Sequence, residues 1–214
     1  MANSDRALRN LVEAIVKGDS DMVSRLLEVW PELARASFQE GASRQTEKPF
    51  FLGRILRYIW RGDTALHIAA AGYQAEIVRR LIAAGADIHA RNRHGDEPLH
   101  AAAVGEPSSP NWNPAGQKET LVALIEAGAD PNCVNKGGIT PLHRAARTRC
   151  AAAVSVLLER GADHARRNKS GSTPMLLARA NTGRGGSGSP EAKPQQQEII
   201  RLLEEHVSGQ AALQ

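Results

Sequence analysis

Three groups of residues in this 214-residue sequence could do chemistry: seven histidines, two cysteines and an arginine-rich stretch. Metal binding is the first chemistry to weigh. His67, His100 and His143 lie in near-identical surroundings, "ALHIAA", "PLHAAA" and "PLHRAA", so they occupy one position of a recurring unit. Neighbouring helices pack about 8–10 Å apart, whereas zinc takes its ligands at about 2 Å. Side chains in register therefore cannot share one ion, and these histidines read as structural hydrogen-bonding groups. His89, His94 and His164 fall in polar links with no cysteine or acid pairing that would complete a ligand set. Cys133 and Cys150 form neither a disulfide framework nor a zinc site and point to a reducing compartment.

Phosphate binding is the second chemistry. "GRGGSGSP" (183–190) has small residues but lacks the Gly-Lys-Ser/Thr ending of a nucleotide loop, and it follows an apolar helical stretch rather than a strand. No G-x-S-x-G elbow or H-E-x-x-H pair occurs, so the sequence implies no enzyme and no cofactor. Anion recognition by arginine is the third. Between Arg144 and Arg184 nine basic residues stand against two acids, while the whole chain carries a net charge of +4, so the remainder is net acidic. Such a run is either a solvated face or a surface for acidic partners. The aromatics that base stacking requires lie mostly elsewhere, which disfavours nucleic acid.

The elements that must position these residues repeat. "GDTALHIAAAG", "GDEPLHAAAVG", "GITPLHRAART" and "GSTPMLLARAN" begin at Gly62, Gly95, Gly138 and Gly171, at spacings of 33, 43 and 33 residues. Each precedes a longer apolar segment with i, i+3, i+4 spacing, such as "EIVRRLIAAGAD" and "EIIRLLEEHVS", so each unit reads as two helices. Thr before Pro suits a helix start. Gly85, Gly128 and Gly161 suit a left-handed residue that closes the second helix.

In motif, period and helical pattern the sequence resembles the ankyrin repeat, strongly over 62–180, clearly over 195–206 and more weakly at the N-terminus. The resemblance implies an all-α solenoid of stacked helix-turn-helix units with hairpin-like finger loops, about five repeats including terminal caps. The boundaries are 5–36, 62–94, 95–137, 138–170 and 171–208, with a tail at 209–214. No single unit can bury its apolar face alone, so the units stack into one core.

Three insertions depart from the pattern. Residues 37–61 separate the first two units; Phe51, Ile55, Tyr58 and Ile59 follow helical spacing, with Arg54, Arg57 and Arg61 on another face. A short amphipathic helix is expected there, at the opposite end of the helices from the other two insertions. It either covers the start of the stack or acts as a partner-binding helix or lid over the concave surface, through Phe51, Arg54, Arg57, Tyr58 and Trp60. The other insertions, 105–116 and 182–195, fall between the two helices of units three and five. They are expected to fold towards each other across unit four, making an edge site from Asn111, Trp112, Asn113, Arg147, Arg149 and Arg184; the alternative is tolerated, solvated loop length.

Ankyrin-repeat proteins act as binding scaffolds, so the resemblance implies a non-catalytic protein-interaction module. Its expected contacts are the finger residues His89, Arg91, Arg93, Asn132, Asn135, Lys136, Arg166, Arg167 and Lys169. A small anionic ligand or peptide at the inter-helix edge is the alternative partner. The charged N-terminus lacks a signal peptide, and no apolar run spans a membrane, so a cytoplasmic location is expected.

Overall fold

Three of the four recurring units start with the same local device. Thr64, Thr140 and Thr173 adopt extended backbone, and each hydroxyl accepts the amide of the residue three positions on, at 3.3–3.4 Å. This satisfies an otherwise free N–H at the helix start. Proline then opens three of the short helices, where it loses no hydrogen bond.

The computed structural model describes residues 2–43, 45–109, 112–180 and 190–211. Within them, α1 (Ala2–Lys17), α3 (Ala65–Ala71), α5 (Pro98–Ala102), α7 (Pro141–Arg147) and α9 (Pro174–Arg179) form an inner layer, each packed on the next. The outer layer is α2 (Ser20–Val29), α4 (Ala75–Ala83), α6 (Pro114–Glu126), α8 (Ala151–Glu159) and α10 (Ala192–Ala211). Ala69, Ala70, Ala102, Ala103, Ala145 and Ala146 are fully buried between inner helices, where only a methyl group fits; Leu66, Leu99 and Leu142 fill the space between layers. Gly85, Gly128 and Gly161 have φ of 87°, 105° and 83°, the left-handed closure that the GAD turns require.

The histidines link one unit to the next. The Nδ1 atoms of His67, His100 and His143 accept the backbone N–H of Thr64, Glu97 and Thr140 at 3.2–3.3 Å. Each Nδ1 is thereby an acceptor, so Nε2–H donates to the following finger: to Asp96 O, Ile139 O and Ser172 O at 2.9–3.0 Å. In unit five the position is Leu176; among the described residues no finger follows it, and Leu176 is 51% exposed.

The fingers are tied in the same serial way. The amide N–H groups of Arg93, Lys136 and Lys169 donate to Arg61 O, His94 O and Gly137 O. Within a unit, Asn92 and Asn135 each donate a side-chain N–H to the aspartate at its start, Asp63 and Asp96, at 2.9 and 2.8 Å.

The first insertion is not a helix. Its residues form single helical turns (Lys48–Phe50, Gly53–Ile55) and a two-stranded antiparallel hairpin, β1 (Phe51–Leu52) and β2 (Arg57–Tyr58), with Phe51 opposite Tyr58. The seven-residue spacing of Phe51 and Tyr58 equals two helical turns, yet here it is a cross-strand pair with ring centroids 4.9 Å apart. Leu56 turns the hairpin in left-handed conformation, φ 48°, which no helix interior accepts. Nor is the insertion confined to the finger end. Its base joins the fingers through Phe38 N to Asp63 O and through Trp60, which stacks edge-on against His94. Its tip crosses the inner helices to Gly72, at the same end as the inter-helix loops.

Candidate functional site

Most finger residues with the chemistry to bind a partner are already committed to the fold. Asn132 bridges to Gly161 O and the Asp163 N–H, and Asn135 closes its own turn by accepting the N–H groups of Gly137 and Ile139. His89 and Arg91 contact buried Glu97, the arginine at 2.7 Å. The Arg93 guanidinium lies 4.8 Å from the Trp60 ring centroid and donates to Ala42 O. Lys136 Nζ donates to Arg93 O, and Arg167 to Gly171 O. Arg166 and Lys169 are exposed and have no side-chain partner among the described residues. Because Arg93, Lys136 and Lys169 recur at one position, the fingertips present a row of cations.

In the inserted hairpin, Phe51 (43% exposed) and Tyr58 stack, and Tyr58 continues onto Trp60 at 5.9 Å. Arg57 pairs with Asp63, whose fully buried carboxylate also accepts the Trp60 N–H and the Asn92 amide. Arg54 at the tip is exposed, without a partner among the described residues.

The edge residues part company. Arg149 is not an anion-binding arginine: it is 0% exposed, and its guanidinium donates to Ala146 O (3.0 Å), Leu177 O (3.2 Å) and Ala180 O (2.6 Å). A cation at the C-terminal carbonyls of α7 and α9 completes those helices, and burial pulls its pKa down. Arg147 is half-buried at the end of α7 and has no partner among the described residues. Asn113 caps α6 by accepting the Gly116 N–H, and Trp112 Nε1 donates to Gln117. Asn111, Arg184 and most of the unit five insertion lie outside the described residues.

Two glutamines that sequence reading missed hold the bases of the inter-helix insertions. Gln117 and Gln196 occupy the same repeat position, two before the aligned Glu119 and Glu198, and cap Ala102 O and Ala178 O at 2.9 and 2.8 Å. From the preceding unit, Tyr73 Oη donates to Val104 O and Arg149 to Ala180 O, each across 31 residues. Tyr73 and Arg149 share the inter-helix turn position, both with positive φ, 57° and 63°. Each insertion thus leaves the stack through a closed neck. At Gly105 the neck admits no side chain: a Cβ would sit 2.6 Å from Cys150 Sγ and 2.9 Å from Tyr73 Oη.

The unit three insertion faces the hairpin tip. Between them lies a cleft of about 560 Å³, lined by the hairpin tip, the end of α1, the Gly72–Gln74 turn, Val104–Glu106, Ser109, Trp112, Asn113 and Thr148. Among the described residues no three His, Cys, Asp or Glu side chains converge as metal ligands, and no helix is long and apolar enough to cross a membrane.

The family model described as "Ankyrin repeats (3 copies)" matches residues 113–206, and the one described as "Ankyrin repeat" matches 61–93. Over 48 residues the chain is 46% identical to protein phosphatase 1 regulatory subunit 12A of Mus musculus and of Rattus norvegicus, a match spanning 22% of this chain and only 5% of those proteins. The matched family models cover more than half of the sequence, and the structure gives the stacked two-layer units they imply; the chain belongs to the ankyrin-repeat family.

Proposed function

We propose that the chain is a non-catalytic cytoplasmic module that captures an acidic segment of a partner protein. The segment lies along the fingertip row and the inner-helix ends of units three to five. One observation carries this reading. Lys136, Arg147, Arg166 and Lys169 have no carboxylate partner among the described residues; three stand on the fingers of units three and four and Arg147 at the end of α7. Glu159 accepts from Ser155 on the outer layer and Asp163 from the N–H groups of Ala165 and Arg166, and neither forms an ion pair with a cation of the row. The finger residues bound into the scaffold, such as Asn132 and Asn135, set the position of these cations instead of meeting the partner. Similarity to a regulatory subunit is in keeping with action through binding.

Affinity capture from a cell extract tests the reading. The wild-type chain should retain proteins bearing acidic segments and release them as salt screens the contacts. Arg166→Glu/Lys169→Glu should lose that set. An identical captured set with the charge-reversed protein would sink the proposal.

A further inference from the structure

The cleft at the hairpin tip has the size and the rigidity of a pocket. Its volume of about 560 Å³ falls in the range of sites that enclose a ligand group, about 300–1,000 Å³. Its walls do not depend on a ligand for their placement. Tyr73 Oη donates to Val104 O, Gln117 holds Ala102 O, and the Thr148 hydroxyl accepts the Gly105 N–H at 3.3 Å. Ile55, Leu56, Val104 and the Tyr73 and Trp112 rings form its apolar wall, while Lys17, Arg54, Arg57 and Glu106 bring three cations and one carboxylate to its lining. Among the described residues, only Leu56, Tyr73 and Arg149 are non-glycine with positive φ, and two of those three line this cleft. Strained backbone of this kind persists only where the surroundings enforce it. At Leu56 it holds a leucine, 47% exposed, at the mouth.

The polar groups point to what enters. Arg54 on one rim and the half-buried Gln74 amide have no partner among the described residues. Thr148, which also lines the cleft, directly follows Arg147 at the end of α7, so the cleft lies beside that cation. That helix has seven residues, roughly 10 Å, a span that about three extended residues cover.

We propose that this cleft is the anchor pocket of the acidic-segment site. It takes one large apolar side chain of the partner, while carboxylates beside it meet Arg147 and Arg54 and those about three or more residues away reach the fingertip cations. The inference rests on the proposed capture of an acidic segment and adds the feature that would set specificity.

Three fluorescein-labelled 12-residue peptides test it, sharing one Glu/Asp-rich frame and differing only in a central Phe, Leu or Ser. Binding is read by anisotropy. The Phe peptide should bind the wild-type chain roughly tenfold or more tightly than the Ser peptide, from burying one aromatic side chain. Leu56→Asp should erase that difference; Ile55→Ser, a milder change in the same wall, should reduce it, with circular dichroism unchanged. A benzophenone at the central position should cross-link to residues 54–56, 104–106 or 112–113. Equal affinity for the Phe and Ser peptides, both abolished by Lys169→Glu, would overturn the anchor pocket and leave the acidic-segment reading standing. Cross-links confined to the fingertips would do the same. Failure of all three peptides to bind wild type would overturn both.

Discussion

Arg149 brings a charge into the interior with no carboxylate to meet it, only the three carbonyl oxygens that end α7 and α9. Arg149→Met would leave those acceptors dry and unpaired, so stability should fall by about 2–4 kcal/mol in urea unfolding. Its φ of 63° adds a finer test: Arg149→Gly loses the same bonds but accepts the conformation, and should be about 1 kcal/mol more stable than Arg149→Ala. The inner histidines make a pH prediction. Burial, the largest influence, holds the pKa values of His67, His100 and His143 below the ordinary 6.5, although Asp63, Asp96 and the carbonyl partners act the other way. Unfolding therefore takes up protons once the pH drops below the unfolded value. The stability they confer is complete above about pH 6.5 and is lost as pH falls through their lowered folded values, at up to about 1.4 kcal/mol per pH unit for each histidine. Urea midpoints should be level from about pH 8 to 7 and decline steeply below. A flat profile down to pH 5 would show that these rings are not neutral acceptors in the fold.

At the scale of elements, the inserted hairpin hangs on Asp63, which gathers Arg57, the Trp60 N–H and the Asn92 amide into one buried carboxylate. Asp63→Ala should cost about 3–5 kcal/mol, since it strands Arg57 and opens the finger beneath. Trypsin should then cut between Arg54 and Arg61 far faster than in the wild type, before the later units are attacked. The same elements show what was legible. The units were, because motif and period recur in register and each helix start carries its own cap. The hairpin was not: the spacing of Phe51, Ile55 and Tyr58 fits a helix face as well as a cross-strand stack, and only Gly53 hinted at a break. The buried role of Arg149 had no local signal, because two of the three carbonyls it meets lie 28 and 31 residues away. The neck glutamines did have one, since Gln117 and Gln196 stand at the same distance before aligned glutamates.

Across the whole molecule, units that touch only their neighbours make stability a sum of local terms, and the insertions enter that sum differently. The unit five neck closes beneath its loop through Gln196 to Ala178 O and Arg149 to Ala180 O. Removing 183–188 should therefore change stability by less than about 1 kcal/mol, the scale of a loop-closure term. Charge is also divided by layer. The fingertip row and Arg147 carry cations free of carboxylates, whereas outer-layer arginines such as Arg80, Arg160 and Arg201 are paired with glutamates. A partner drawn by this asymmetry should respond to the position of a charge and not merely to the total. Arg166→Glu/Lys169→Glu and Arg25→Glu/Lys118→Glu change net charge equally, the first pair on the fingers and the second on the outer helices. With a Glu/Asp-rich peptide, the finger pair should slow association about tenfold or more and flatten its salt dependence, while the outer pair should leave both close to wild type. Equal slowing by the two pairs would mean that overall charge, and not the fingertip row, attracts the acidic segment.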